Sequence, residues 1–246
     1  MRVSSFWKLF LAVLTFCLAL PSFAADLTSS LADIEKQYQD GADMRQIEQS
    51  CLGLLKDYTA PEDAGRIYAE IPILFMTSYA GSKQSQRDVL PSASAISYCQ
   101  KALGYPLDSA IAAKVYLVWG LTEEKSAPYG LSSDKDFSAA AARATSAYLN
   151  GLKYLADQGV PDVKPDVSSI GEMPSDPAAR NDWAKQREAV YKTRNLVDTR
   201  EFYLAQIRCL YRHLAYDATT LRAQAEGVIG KSSTVDKLIA SLGKSR

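Results

Sequence analysis

The 246-residue chain contains a single histidine, His213. That excludes a metal site built on several histidines and a multi-histidine acid–base centre. No G-x-G-x-x-G or phosphate-loop pattern is present, so nucleotide binding has no support. There is also no G-x-S-x-G elbow to recruit His213 into a triad; at the end of a predicted helix, it is expected to meet helix carbonyls or solvent. Lys and Arg number 28, and so do Asp and Glu. A balanced chain lacks the basic excess that holds nucleic acid or an anionic membrane surface. No stretch alternates apolar and polar residues for several turns between turn signals, which argues against a sheet.

Long apolar runs are scarce too, with one exception. Arg2 and Lys8 precede the uncharged segment Leu9 to Leu20, Pro21 ends it, and the small residues of "SFAAD" follow. This is the layout of a secretory signal peptide over residues 1–24, cleaved between Ala24 and Ala25. The run is shorter than the roughly 20 residues needed to span a bilayer. Cys17 follows Phe16 inside the run, which does not fit lipoprotein processing. The expected product is exported, periplasmic or extracellular, without stable membrane insertion, and loss of Arg2 and Lys8 leaves it a formal charge of −2. Cys51, Cys99 and Cys209 then remain, an odd number at spacings that match no zinc site.

What is present is helical periodicity. Leu27, Leu31, Ile34 and Tyr38 form one face, and Met44, Ile47, Cys51, Leu54 and Leu55 another. Thr59 and Glu62 have capping-box spacing around Pro61, opening a helix toward Tyr79 with a bend expected at Pro72. A further helix is expected over 84–103, with Pro91 a point of division. Asp108 is a candidate N-cap for the next. The alanine-rich stretch from Asp136 runs on until Gly159 and Pro161 stop it.

Two of these segments repeat at an offset of 48. Cys51 aligns with Cys99, Leu55 with Leu103, Ala64 with Ala112, Ile67 with Val115 and Tyr68 with Tyr116, while Arg66 falls on Lys114. A weaker echo puts Tyr148 and Leu152 in the same slots. Each copy reads as a helix end, a turn and a helix start, and one such hairpin needs a neighbour to cover its apolar face. "YCQKALGYP" with the following "YLVWG" resembles tetratricopeptide-type helical repeats over Tyr98 to Leu121, although the spacing exceeds that family's 34 residues. The fold class expected is all-α: antiparallel helix pairs stacked as a short TPR-like α-solenoid, or an irregular helical bundle. In a translated stack Cys51 and Cys99 are expected to be buried, reduced fillers rather than a disulfide.

The helical-repeat region is expected over 25–158. Residues 159–177, with Pro161, Pro165, Pro174 and Pro177 and no helical stripe, read as an irregular connection. A C-terminal helical region, 178–246, is expected to pack on the repeats. Within it Ala178 to Ala218 has neither glycine nor proline, and Trp183, Val190, Val197, Leu204 and Tyr211 recur every seven residues beside Leu196, Tyr203 and Leu210. That stripe wants the chain's own domain or a second copy as partner, with "TRNLVDT" a point of interruption. Alternating basic and acidic residues between Lys185 and Arg212, including Glu188 with Lys192 and Arg194 with Asp198 at i, i+4, describe an exposed face. Glu123 with Glu124, and Asp134 with Asp136, read as solvated surface.

No catalytic, binding or metal residue and no cofactor is assigned at this level. The function expected is an exported, non-enzymatic scaffold or protein- or peptide-binding module. The alternative is an envelope hydrolase or small-ligand binder whose site is assembled from dispersed residues. A pocket with converging carboxylates of perturbed pKa would favour the second, and an open groove the first.

Overall fold

The computed structural model describes residues 26–79, 92–214 and 216–242. The signal peptide, Cys17, and the first part, 84–91, of the helix expected over 84–103, with its division at Pro91, lie outside the described residues. Among the described residues every regular element is helical, and the protein is all-α.

Helix α1, Leu27–Gln39, starts at Asp26, whose carboxylate accepts from the Thr28 amide, and buries the four residues of its stripe. Helix α2, Met44–Leu54, opens with a capping box between Asp43 and Gln46 and buries Met44, Ile47 and Cys51. Helix α3, Pro61–Tyr79, has proline at its first position and runs through Pro72 without interruption. Its first helical bond, from the Ala64 amide to the Ala60 carbonyl, puts the cap at Ala60 rather than Thr59. Helices α4, Ser92–Leu103, and α5, Ser109–Ser126, follow, with Asp108 capping α5 as its side chain suggests. Helix α6, Asp134–Asp157, is capped by Ser133.

The segment between Asp157 and Pro177 contains only a short 3-10 helix, Val167–Ile170. It leads into α7, Pro177–Leu214, a 38-residue helix and so roughly 57 Å long at 1.5 Å per residue. The "TRNLVDT" stretch does not interrupt it. Thr193 and Thr199 donate their hydroxyls to the carbonyls of Ala189 and Asn195, so these residues are satisfied inside the helix. Helices α8, Ala218–Ile229, and α9, Ser233–Leu242, end the described chain.

Helices adjacent in sequence pack together through most of the chain, and α1, α3 and α5 also meet side by side in one row. The 48-residue offset survives in the packing. Helix α3 begins at Pro61 and α5 at Ser109, 48 positions later. Cys51, Cys99, Ile67 and Val115 are all fully buried, at 0% exposure. Leu55 and Leu103 are half-buried, as are Tyr68 and Tyr116. The third echo departs from this register. Tyr148 and Leu152 are buried well inside α6, and an irregular connection stands where the next helix would begin.

One apolar cluster joins Phe137, Tyr148 and Leu152 of α6 to Tyr203 and Ile207 of α7, Leu221 of α8 and Leu238 of α9. Glycines set its close approaches. A Cβ at Gly120 would overlap the Tyr148 ring, and one at Gly151 would overlap Tyr203. Tyr203 donates its hydroxyl to the Ala113 carbonyl, tying α7 to α5.

The α7 stripe divides in two. Val197, Tyr203, Leu204, Ile207 and Leu210 are buried against the chain's own helices, whereas Trp183 and Val190 are only half-buried. The connection runs back along that first half. Trp183 Nε1 donates to the Gly171 carbonyl, and Arg180 to the carbonyls of Pro174 and Ser175. Lys164 pairs with Asp198 at 2.5 Å, displacing the expected Arg194–Asp198 pair. Arg200 corrects the expectation of an exposed charged face: it is buried, and its guanidinium donates to the carbonyls of Val160 and Pro161. The connection is thus a strap anchored at both ends.

Candidate functional site

The row formed by α1, α3 and α5 borders an open cavity of about 280 Å³, with Glu35 and Lys114 exposed at its rim. Leu31, Ile73, Leu74 and Ile111 supply apolar wall, and four charged side chains complete the lining: Glu35 from α1, Arg66 and Glu70 from α3, and Lys114 from α5. Arg66 and Lys114 are the two basic residues that the 48-residue offset superposes. The repeat therefore brings one cation from each hairpin to the same hollow. Arg66 and Glu70 stand four apart, on one face of α3.

Burial is the main force on Glu70. Removal from water pushes its carboxyl up to about 7, the nearby Glu35 charge adds to the rise, and Lys114 and Arg66 oppose it. Arg66 donates to Thr28 Oγ1 at 3.1 Å, and Glu35 accepts from Gln39 Nε2 at 3.2 Å. Among the described residues, no ion pair joins either carboxylate to either cation. Two carboxyls and two cations therefore face a common space without neutralising one another by direct contact. Such a cavity suits a ligand that carries both signs of charge.

A second cavity, of about 200 Å³, lies between α5 and α6 and is lined by Tyr116, Trp119, Arg143, Ser146, Ala147 and Asn150. At 100° per residue, Trp119 points roughly 140° away from Lys114 around α5, so the two cavities use different faces. Glu123 is buried beside it. One carboxylate oxygen accepts from Trp119 Nε1 at 3.2 Å and the other from Arg143 Nε at 2.9 Å. Glu124 is half-buried and accepts from the Tyr148 hydroxyl; burial raises its pKa and that bond opposes the rise. The solvated-surface expectation for Glu123 and Glu124 is therefore corrected. Both are drawn inward because α6 packs over them and supplies donors.

The other residues noted in the sequence are placed apart from these cavities. Asp134 and Asp136 are exposed in the first turn of α6. His213 is exposed, with Tyr129 at 4.0 Å between ring centroids and the Phe137 ring edge-on. Cys51, Cys99 and Cys209 are free thiols, the first two buried and the third exposed. Burial pushes Cys51 and Cys99 up to about 12, with Glu70 contributing at Cys51. Among the described residues no group of three or more His, Cys, Asp or Glu side chains is placed to hold a metal ion. No helix among them is long and apolar enough to cross a membrane.

Glu35 and Glu70 were not singled out from the sequence. A signal for Glu70 did exist: it is the one acid within the apolar run from Ile67 to Phe75. Glu35 gave none, because a charged residue at the edge of an apolar stripe is ordinary on an amphipathic helix. Comparison outside the chain adds nothing to this reading: no family model, curated protein or solved structure matches it.

Proposed function

We propose that this protein is an exported, non-enzymatic helical binding module, and that the α1–α3–α5 cavity takes a small zwitterionic ligand, a free amino acid or a short peptide. The observation that carries the reading is the convergence of Glu35, Glu70, Arg66 and Lys114 on one hollow. The ligand's ammonium group would lie against Glu35 and Glu70, and its carboxylate against Arg66 and Lys114. Size agrees with this. Pockets for drug-sized molecules span roughly 300–1,000 Å³, and at about 280 Å³ this one falls just below that range. Export rests on the signal-peptide pattern of residues 1–24. The shared packing register of the two hairpins is what supports a TPR-like description of the first half of the chain.

Thermal melting of the purified protein with each free amino acid, and with a set of dipeptides, tests the reading. A ligand that binds only the folded state stabilises it by mass action. At least one zwitterion is expected to raise the midpoint, and Lys114→Ala is expected to abolish the rise. No shift with any of them would remove the proposal.

Glu70 supports a second reading. A carboxyl titrating near 7 is in the range where general acid–base catalysis works best. In that reading the cavity belongs to a peptide hydrolase, and steady consumption of a bound dipeptide would establish it over simple binding.

A further inference from the structure

The α5–α6 cavity stands apart from the amino-acid site and has a different chemistry. The Tyr116 and Trp119 rings are parallel to within 3°, with centroids 6.1 Å apart, and Tyr154 continues the row at 5.8 Å from Tyr116. All three are half-buried, and Tyr116 and Trp119 line the cavity as an aromatic shelf. Aromatic surface of this kind is apolar across its faces and electron-rich there, and it attracts polarised C–H groups laid flat upon it.

The polar groups at the edge are few and held in place. Glu123, with a side chain only 5% exposed, fixes both the indole and the guanidinium. Arg143 spends its Nε on Glu123, while its side chain is 55% exposed. Its terminal nitrogens therefore remain as a planar pair of donors at the cavity. Asn150 donates its Nδ2 to the Ser146 carbonyl at 2.8 Å, which fixes the amide and leaves Oδ1 as an acceptor. The Ser146 hydroxyl is a donor or acceptor as needed.

We infer that this cavity binds a pyranose ring, stacked by its C–H face against an open ring face of the Tyr116–Trp119 stack, with its hydroxyls bonded to Arg143, Ser146 and Asn150. Three features point to a sugar over an anion or a simple apolar group. Arg143 is already neutralised by Glu123, which removes the excess positive charge an anion would need. The polar groups comprise planar donors and an acceptor, the pattern that vicinal hydroxyls satisfy. The shelf gives the ring's apolar face a surface that a purely polar pocket lacks. A cavity of about 200 Å³ admits one ring rather than a chain.

Saturation-transfer NMR on the purified protein, with a panel of neutral methyl pyranosides and a proline-rich peptide, tests the inference. Ring C–H protons of at least one pyranoside are expected to receive saturation. Trp119→Leu is expected to abolish the transfer in a protein whose circular dichroism is unchanged. Arg143→Lys keeps the charge beside Glu123 but loses the planar fork, and it is expected to weaken binding by about tenfold or more. It decides the matter if Trp119→Leu does not fold. Three results would overturn the inference: no transfer to any pyranoside, transfer that survives these substitutions in folded protein, or occupancy of the shelf by the peptide alone.

Discussion

Glu70 owes its chemistry to position. The same carboxyl on the outer face of α3 would be an ordinary surface acid, whereas here burial, with help from Glu35, lifts it to about 7 against the pull of Lys114 and Arg66. The unfolded chain binds this proton with a pKa near 4.5. Between those values the folded state holds a proton that the unfolded state has released, so stability falls as pH rises from about 4.5 through 7. The effect is on the order of 3 kcal/mol. Glu70→Gln is expected to flatten that slope and to raise stability at pH 8, measured by urea unfolding at a series of pH values. The cysteines give a second check at this scale. In folded protein beginning at Ala25, a thiol reagent at pH 8 is expected to label Cys209 alone, and three thiols should react after denaturation without reductant. A single reactive thiol after denaturation would reveal a disulfide and contradict the packing of Cys51 and Cys99.

Individual helices were legible in the sequence wherever their instructions are local. The α1 stripe, the Asp108 cap and the stop at Gly159 each lie within a turn or two of what they control. Arg200 was not legible. It sits among alternating charges on α7, which reads as an exposed face, and only the strap from residues 160–162 buries it. Nor does sequence spacing show that Gly120 makes room for Tyr148, 28 residues further on. Alanine suits a helix interior better than glycine by about 1 kcal/mol, yet here its methyl group meets a fully buried ring. Gly120→Ala is therefore expected to cost a net 1–2 kcal/mol or so, seen as a lower denaturation midpoint with an unchanged slope. A stabilised variant would mean that α5 and α6 stand further apart. The strap has its own test. Arg200→Ala removes the donors to Val160 and Pro161, and limited proteolysis is expected to cut between 159 and 177 faster while leaving the helices intact.

At the scale of the whole molecule, the all-α class follows from periodicity, and the 48-residue register follows from two hairpins packing in the same way. The candidate site belongs to neither pattern. It arises where α1, α3 and α5 lie side by side, so its four charged residues come from three helices and span Glu35 to Lys114. Lateral packing of that kind is written into no short segment, which is why the basic pair was visible as a repeat and invisible as a site. If Glu35 and Glu70 receive an ammonium group, binding needs Glu70 ionised, and affinity must follow its titration. The decisive measurement is calorimetric titration of the free amino acid that gives the largest melting shift, at pH 6 and pH 8, against protein with and without Glu70→Gln. A free amino acid keeps its ammonium charge across that interval. Its affinity is expected to rise about tenfold from pH 6 to pH 8 in the natural protein, as the ionised fraction of Glu70 grows, and to lose this dependence in the variant. Equal affinity at both pH values, or undiminished binding of the same ligand with its amine acetylated and its carboxylate amidated, would contradict the assignment of the cavity.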